Sequence, residues 1–181
     1  MKTGLILVDI QKDYFPGGRM ELVGIEQAGS KAGELLAFFR EKGWPTFHIQ
    51  HISARQGASF FLPDTDGVKL HECIQPLAGE LVIQKNYPNS FRDTSLSQEL
   101  ETHDVKQLVI CGAMSHMCID ATTRAAFDLS FDCTVIQDAC TTRDLEFGGE
   151  KIAAADVHGA FMAALGSAYA RVLSLEEFVR M

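Results

Sequence analysis

Two short, unbroken apolar runs constrain this chain most: Leu5-Ile6-Leu7-Val8 near its start and Leu108-Val109-Ile110-Cys111 past its middle. A strand with one face in water alternates apolar and polar residues. These runs are apolar at every position, so each belongs to a strand covered on both faces. Between such runs lie longer amphipathic segments. Gly4–Asp9 reads as a strand, Gln11–Gly24 as a loop carrying Pro16-Gly17-Gly18, and Ile25–Lys42 as a helix with Ala28, Ala32, Leu35, Leu36 and Phe39 on one face and Gly43 as its stop. Pro45–Ile52, Glu80–Gln84, Gln107–Gly112, Asp132–Gln137 and Ala170–Leu173 read as further strands, and Ser53–Leu77 as a long irregular stretch. Thr94–Thr102, His116–Leu129 and Glu146–Leu165 read as helices, and Ser174-Leu175-Glu176-Glu177 as a capping box opening a short terminal one. Strand–helix alternation of this kind predicts an α/β fold of three α-β-α layers, with a mostly parallel open sheet and helices on both faces. With no internal repeat or linker, residues 1–181 read as a single domain.

Composition narrows the class of partner. A net charge of −8 with no basic run argues against nucleic acid, because phosphate binding needs concentrated Lys and Arg. A small-molecule substrate suits the balance better. No apolar stretch approaches the roughly 20 residues of a membrane helix, and the first apolar run is too short for a signal peptide, so a cytoplasmic address and no membrane partner are expected. The five cysteines (73, 111, 118, 133 and 140) are odd in number and form no C-x-x-C pair. Reduced thiols follow, rather than a disulfide framework or zinc knuckle.

Open α/β sheets gather their sites at the carboxyl ends of strands. Here those ends present Asp9, Lys85 and the loop leading to Cys118. Taken singly, Asp9 reads as readily as a solvated loop carboxylate or helix cap as it does a functional group, and Lys85 reads as a surface lysine. Cys111 and Cys133 fall within or at the start of strands and read as structural thiols. Cys118 differs, because it stands between a strand and a helix, where the helix dipole and a nearby ammonium would draw its pKa down toward neutrality.

The segments that carry these residues resemble the isochorismatase-like cysteine hydrolases, which include nicotinamidases and related amidases. The resemblance rests on Asp9-x-Gln11-x-Asp13-Tyr14, Lys85-Asn86-x-x-Asn89-Ser90-Phe91, Gly112-x-x-Ser115-x-x-Cys118-Ile119 and Asp138-Ala139, and it spans essentially the whole chain. It implies that Asp9 is a general base, that Lys85 holds the charges in place, and that Cys118 attacks a carbonyl to form a thioester. It further implies an oxyanion hole at the backbone N–H groups of Met114 and Cys118, beside a non-proline cis peptide at Ala113–Met114. The expected reaction is hydrolysis of a small amide-type C–N bond. The Gly-x-x-Ser-His-Met-Cys loop is most similar to that of streptothricin-hydrolase-like amidases. Tyr14, Phe15, Phe91 and His116 are the expected substrate contacts, with Phe60 and Phe61 adding to an aromatic wall. Asp13 and Arg19 read as either substrate-facing or solvated, and Arg124 as structural or interfacial. Related hydrolases assemble as dimers or tetramers, so a homo-oligomer is expected.

The pattern departs from nicotinamidases at their Asp-x-His metal pair, where this chain has His51 and Ser53. The i,i+3 spacing of His48 and His51 points them to opposite faces of a strand. No metal and no cofactor are expected. Two other readings stay open: a redox-responsive or ligand-binding protein on the same fold, and isochorismatase-type ether hydrolysis without covalent attack.

Overall fold

Four consecutive side chains of the first strand, Leu5 to Val8, are wholly buried, because that strand lies in the middle of the sheet. A computed structural model describes residues 2–181. Its sheet comprises β1 (Lys2–Val8), β2 (Thr46–His51), β3 (Leu81–Lys85), β4 (Val105–Ala113), β5 (Asp132–Thr141) and a later short strand, Arg171–Leu173. The spatial order is β3-β2-β1-β4-β5 with the short strand outermost, and every neighbouring pair is parallel. From β1 the chain first builds outward through β2 to β3, then returns to lay β4 on the other side of β1. Strand order therefore reverses between β1 and β4, which opens a crevice at their carboxyl ends.

Helix α1 (Ile25–Lys42) buries Ala28, Ala32, Leu35, Leu36 and Phe39, the face marked by its periodicity. It ends at Gly43, whose φ of 65° is the left-handed conformation glycine adopts most cheaply. Helices α2 (Leu96–Thr102), α3 (Asp120–Asp128), α4 (Ala154–Ala168) and α5 (Leu175–Val179) follow. The α5 capping box is present, with Ser174 and Glu177 bonded reciprocally. None of the described helices is long and apolar enough to cross a membrane.

Three expectations are corrected. The segment 146–152, read as the start of the last long helix, instead joins an antiparallel hairpin of β6 (Leu145–Phe147) and β7 (Glu150–Ile152). Its turn is Gly148-Gly149, with φ of 62° and 82°, and a Gly pair with both φ positive closes a two-residue hairpin. Helix α4 begins only at Ala154, whose N–H donates to the Asp144 carboxylate at 2.8 Å. The helix read as beginning at His116 is also divided: Ser115–Ile119 forms a π-turn, and regular α-helix starts at Asp120. Strand β5 meanwhile continues to Thr141, past the expected end at Gln137. Arg143, two residues past its end, lines the cavity over Cys118.

Glu80, just before β3, clamps that edge strand to α1. Arg40 Nε donates to its Oε1 at 2.7 Å and Arg40 Nη2 to its Oε2 at 2.7 Å, while the Leu77 N–H donates at 2.9 Å. The guanidinium hydrogen bonds hold the Glu80 carboxyl down at about 2. A depressed carboxyl stabilises the fold above its unfolded pKa of about 4.3, and that contribution is lost as pH falls toward 2. Glu80→Gln is therefore expected to cost about 1–2 kcal/mol at pH 7, a figure reduced for partial solvent screening. The gap from wild type should narrow steadily below about pH 4.5. Urea unfolding at a series of pH values checks this, and a pH-independent gap would contradict it.

Candidate active site

Asp9 follows β1 with φ of 53°, a left-handed conformation that Asp tolerates better than most residues. Its N–H donates to the Ile49 carbonyl and its own carbonyl accepts from Gln11 N–H, so the backbone is fixed on both sides. Gln11, wholly buried, sets the register of the next strand. Its amide donates to the His51 and Val68 carbonyls at 2.9 and 2.7 Å, and its oxygen accepts from His51 N–H at 2.7 Å. Asp13 is equally structural. Its carboxylate accepts from the Phe61 N–H at 2.6 Å and the Arg19 N–H at 3.2 Å, which ties the 53–68 stretch to the first loop. The open alternatives for Asp13 and for Arg19's backbone thus resolve to scaffolding.

Lys85 ends β3 and reaches across β2 to the centre of the site. Its Nζ lies 2.8 Å from Asp9 Oδ2, and both side chains are wholly buried. The same ammonium donates to the carbonyls of Tyr87 and Pro88 at 3.1 and 3.2 Å. A buried ion pair survives only when its remaining hydrogen-bonding capacity is met, and here the lysine's is. Burial pushes the Lys85 ammonium down, but its acidic neighbours, Asp9 first, outweigh it and hold the group above its ordinary value. Asp9 Oδ1 has no hydrogen-bond partner among the described residues. That leaves a buried acceptor aimed into the site.

Cys118 is 5 % exposed and sits in the π-turn after β4. The Ala113–Met114 peptide entering this turn is cis. Met117 and Ile119 N–H both donate to the Met114 carbonyl, and the Ser115 hydroxyl bonds His158 Nδ1 at 2.8 Å, so the turn is held from within and from α4. Sγ of Cys118, a carboxylate oxygen of Asp9 and a ring nitrogen of His51 all lie within 4.8 Å of one another. The structure therefore brings Asp9, Lys85 and Cys118 together.

The charge state of the sulfur differs from expectation. Burial, then the negative charge of Asp9, push the Cys118 thiol up, and Lys85 only partly opposes them. The helix N-terminus invoked from sequence is displaced, because regular helix begins two residues later. Asp9 and Lys85 already neutralise each other, so a resting thiolate would add net buried charge. These surroundings favour the thiol over the thiolate at Cys118, with the Asp9 carboxylate beside it.

A cavity of about 360 Å³ opens over Cys118, with Tyr14, Phe60, Phe61, Met114, Met117 and Arg143 among its walls. Tyr14, Phe60 and Phe61 form one aromatic cluster, with ring centroids 4.5–5.8 Å apart. Three expected contacts lie elsewhere. The tight 3-10 turn at Lys12–Tyr14 sends Phe15 the other way from Tyr14, to stack on His71 at 3.5 Å. Phe91 packs on Phe131 at 6.1 Å, turned there by an Asn89 side-chain bond to its own N–H. His116 bonds the Thr142 hydroxyl through Nδ1 at 2.6 Å and meets Phe161 edge-on, and Met117 takes the pocket position instead. Arg124 is structural: it bonds Asp120 at 2.8 Å and covers the Tyr169 ring. Arg143 and Met117 are wall residues that sequence reasoning missed. A β5 that runs on to Thr141 is the signal for the first.

The donors do not fit a nicotinamidase-type metal centre. His48 is buried on the far side of β2, with Nε2 3.0 Å from Glu80. Ser53 spends its hydroxyl on the Phe60 carbonyl at 2.8 Å. The remaining cluster of Asp9, His51 and Cys118 already holds the Lys85 ammonium against its carboxylate, where a second cation would be repelled.

Comparison with known proteins agrees with this fold. Residues 3–176 match the isochorismatase domain family. The isochorismatase family protein YddQ of Bacillus subtilis is 48 % identical over 180 residues, spanning 99 % of this chain and 100 % of its own. A crystal structure of an isochorismatase-family protein from Oleispira antarctica superposes with a TM-score of 0.96 at 49 % identity, covering 99 % of this chain and 97 % of that one. Streptothricin hydrolase of Streptomyces noursei is 31 % identical over 163 residues, which is 90 % of this chain and 56 % of the hydrolase. The fold and site define an open, doubly wound α/β protein with a cysteine turn at the switch point of its sheet. The chain belongs to the isochorismatase family.

Proposed function

We propose that this protein hydrolyses a small amide-type C–N bond through a thioester on Cys118. The observation that carries the reading is the buried trio: a thiol within 4.8 Å of a carboxylate oxygen whose partner ammonium is fixed 2.8 Å away. Asp9 takes the thiol proton as Sγ bonds to the carbonyl carbon, and Lys85 keeps that proton transfer from leaving an unbalanced buried charge. The oxyanion is received by the backbone N–H groups of Met114 and Cys118. Asp9 then gives its proton to the departing nitrogen, and the C–N bond breaks. A water next loses a proton to Asp9, attacks the thioester carbonyl and releases a carboxylic acid, with the thiol restored. A resting thiol with an adjacent base suits this cycle, because the proton moves only when the carbonyl arrives. The likeness to streptothricin hydrolase supports amide cleavage over ether cleavage.

The test is intact-mass spectrometry of the protein exposed to a library of small amides and quenched rapidly in acid. An acyl adduct that maps to the Cys118 peptide is the expected result. Hydrolysis with no adduct at any quench time, together with full activity after Cys118 is blocked, would remove the covalent step.

A further inference from the structure

The charges on the walls of the Cys118 cavity are one-sided. Two arginines, Arg55 and Arg143, line it, and no carboxylate does. Among the described residues neither guanidinium pairs with a carboxylate, although the chain as a whole carries a net charge of −8. The Asp9–Lys85 pair beneath the cavity is neutral in sum. An acidic protein that leaves two cations unmatched at the mouth of its reactive pocket presents a local positive field to whatever enters.

Arg143 is the better placed of the two, because the backbone on either side of it is anchored. On one side Thr141 bonds the Val23 carbonyl, the Thr142 carbonyl accepts from Val23 N–H, and the Thr142 hydroxyl bonds His116. On the other, Asp144 caps α4 and pairs with Lys151 at 2.6 Å, so the adjacent carboxylate is already spent and cannot neutralise Arg143. Burial, with Cys118 and Asp9 close by, pushes the Tyr14 hydroxyl up, and Arg143 is the cation that opposes them, so its charge reaches the aromatic wall.

We infer that Arg143, aided by Arg55, binds a carboxylate on the substrate, so that the amides this enzyme prefers are small and anionic. The guanidinium fork matches a planar carboxylate in two parallel hydrogen bonds, and a fixed anchor outside the reacting centre orients the carbonyl toward Sγ. A cavity of about 360 Å³ limits the ligand to a compact molecule. This inference rests on the hydrolytic reading above, in which Cys118 is the reactive group.

Alkylation of Cys118 separates the two. Iodoacetate and iodoacetamide have nearly the same shape and differ in charge, and each forms an S–C bond with loss of iodide and of the thiol proton. The ratio of the iodoacetate rate to the iodoacetamide rate at Cys118, followed by peptide mass mapping, is expected to exceed that for glutathione by about tenfold. Arg143→Gln should lower the ratio by about the same factor, Arg143→Lys should retain part of it, and raised ionic strength should erode it in the wild type. Hydrolysis should follow the same order, with succinamate preferred to butyramide and the preference lost in Arg143→Gln. If Cys118 reacts with both reagents and the ratio is unchanged by Arg143→Gln, the carboxylate anchor is wrong while the nucleophile stands. If Cys118 reacts with neither, the nucleophile falls and the anchor with it.

Discussion

Cys118→Ala is expected to lower amide turnover by a factor of about 10⁴ or more, since loss of a covalent nucleophile leaves only binding and oxyanion contacts. The fold should barely register the change. Removal of one sulfur from a turn held by the Met114 carbonyl and by Ser115–His158 costs about 1 kcal/mol. Steady-state kinetics alongside urea unfolding reads both quantities. Activity within tenfold of wild type would mean that water attacks the substrate directly, as in ether hydrolysis. A wild-type protein inert across the amide panel but reversibly oxidised at Cys118 would instead favour a redox role.

Asp9→Asn and Lys85→Met should each cost about 3–5 kcal/mol, because each leaves one wholly buried charge without its partner. Asn is the suitable replacement at position 9, since it tolerates the left-handed backbone there. The double variant should be no less stable than either single variant, which corresponds to a coupling energy of at least about 3 kcal/mol in the mutant cycle. Activity should not recover, because the double variant lacks the base. Additive stability losses would show that the two groups do not share one buried environment.

Much of this arrangement was legible in the residues themselves. The apolar runs at Leu5–Val8 and Leu108–Cys111 marked both-face burial, and the carboxyl-end rule then selected Asp9, Lys85 and the Cys118 loop. What escaped depended on geometry that neighbouring residues do not encode. Phe15 and Tyr14 are adjacent and chemically similar, yet a 3-10 turn sends one to the site and the other to His71. The Cys118 thiol was misjudged because sequence suggests a helix start, whereas the chain inserts a π-turn and buries the sulfur beside Asp9. Arg143 was missed because β5 runs past its apparent end, and the Gly148-Gly149 turn signal was overridden by a helical pattern that begins only later.

Strand β3 lies at the open edge of the sheet, is five residues long and has Val82 44 % exposed, yet it delivers the ammonium on which the site's charge balance rests. Edge segments with exposed hydrogen bonds undergo local opening at lower free energy than central strands. Fraying there withdraws Lys85 from Asp9 while β1 and β4, which carry the base and the sulfur loop, remain intact. The Asp9–Lys85 pair is thus expected to open at lower free energy than the core, and the Arg40–Glu80 clasp at the strand's other end opposes that opening.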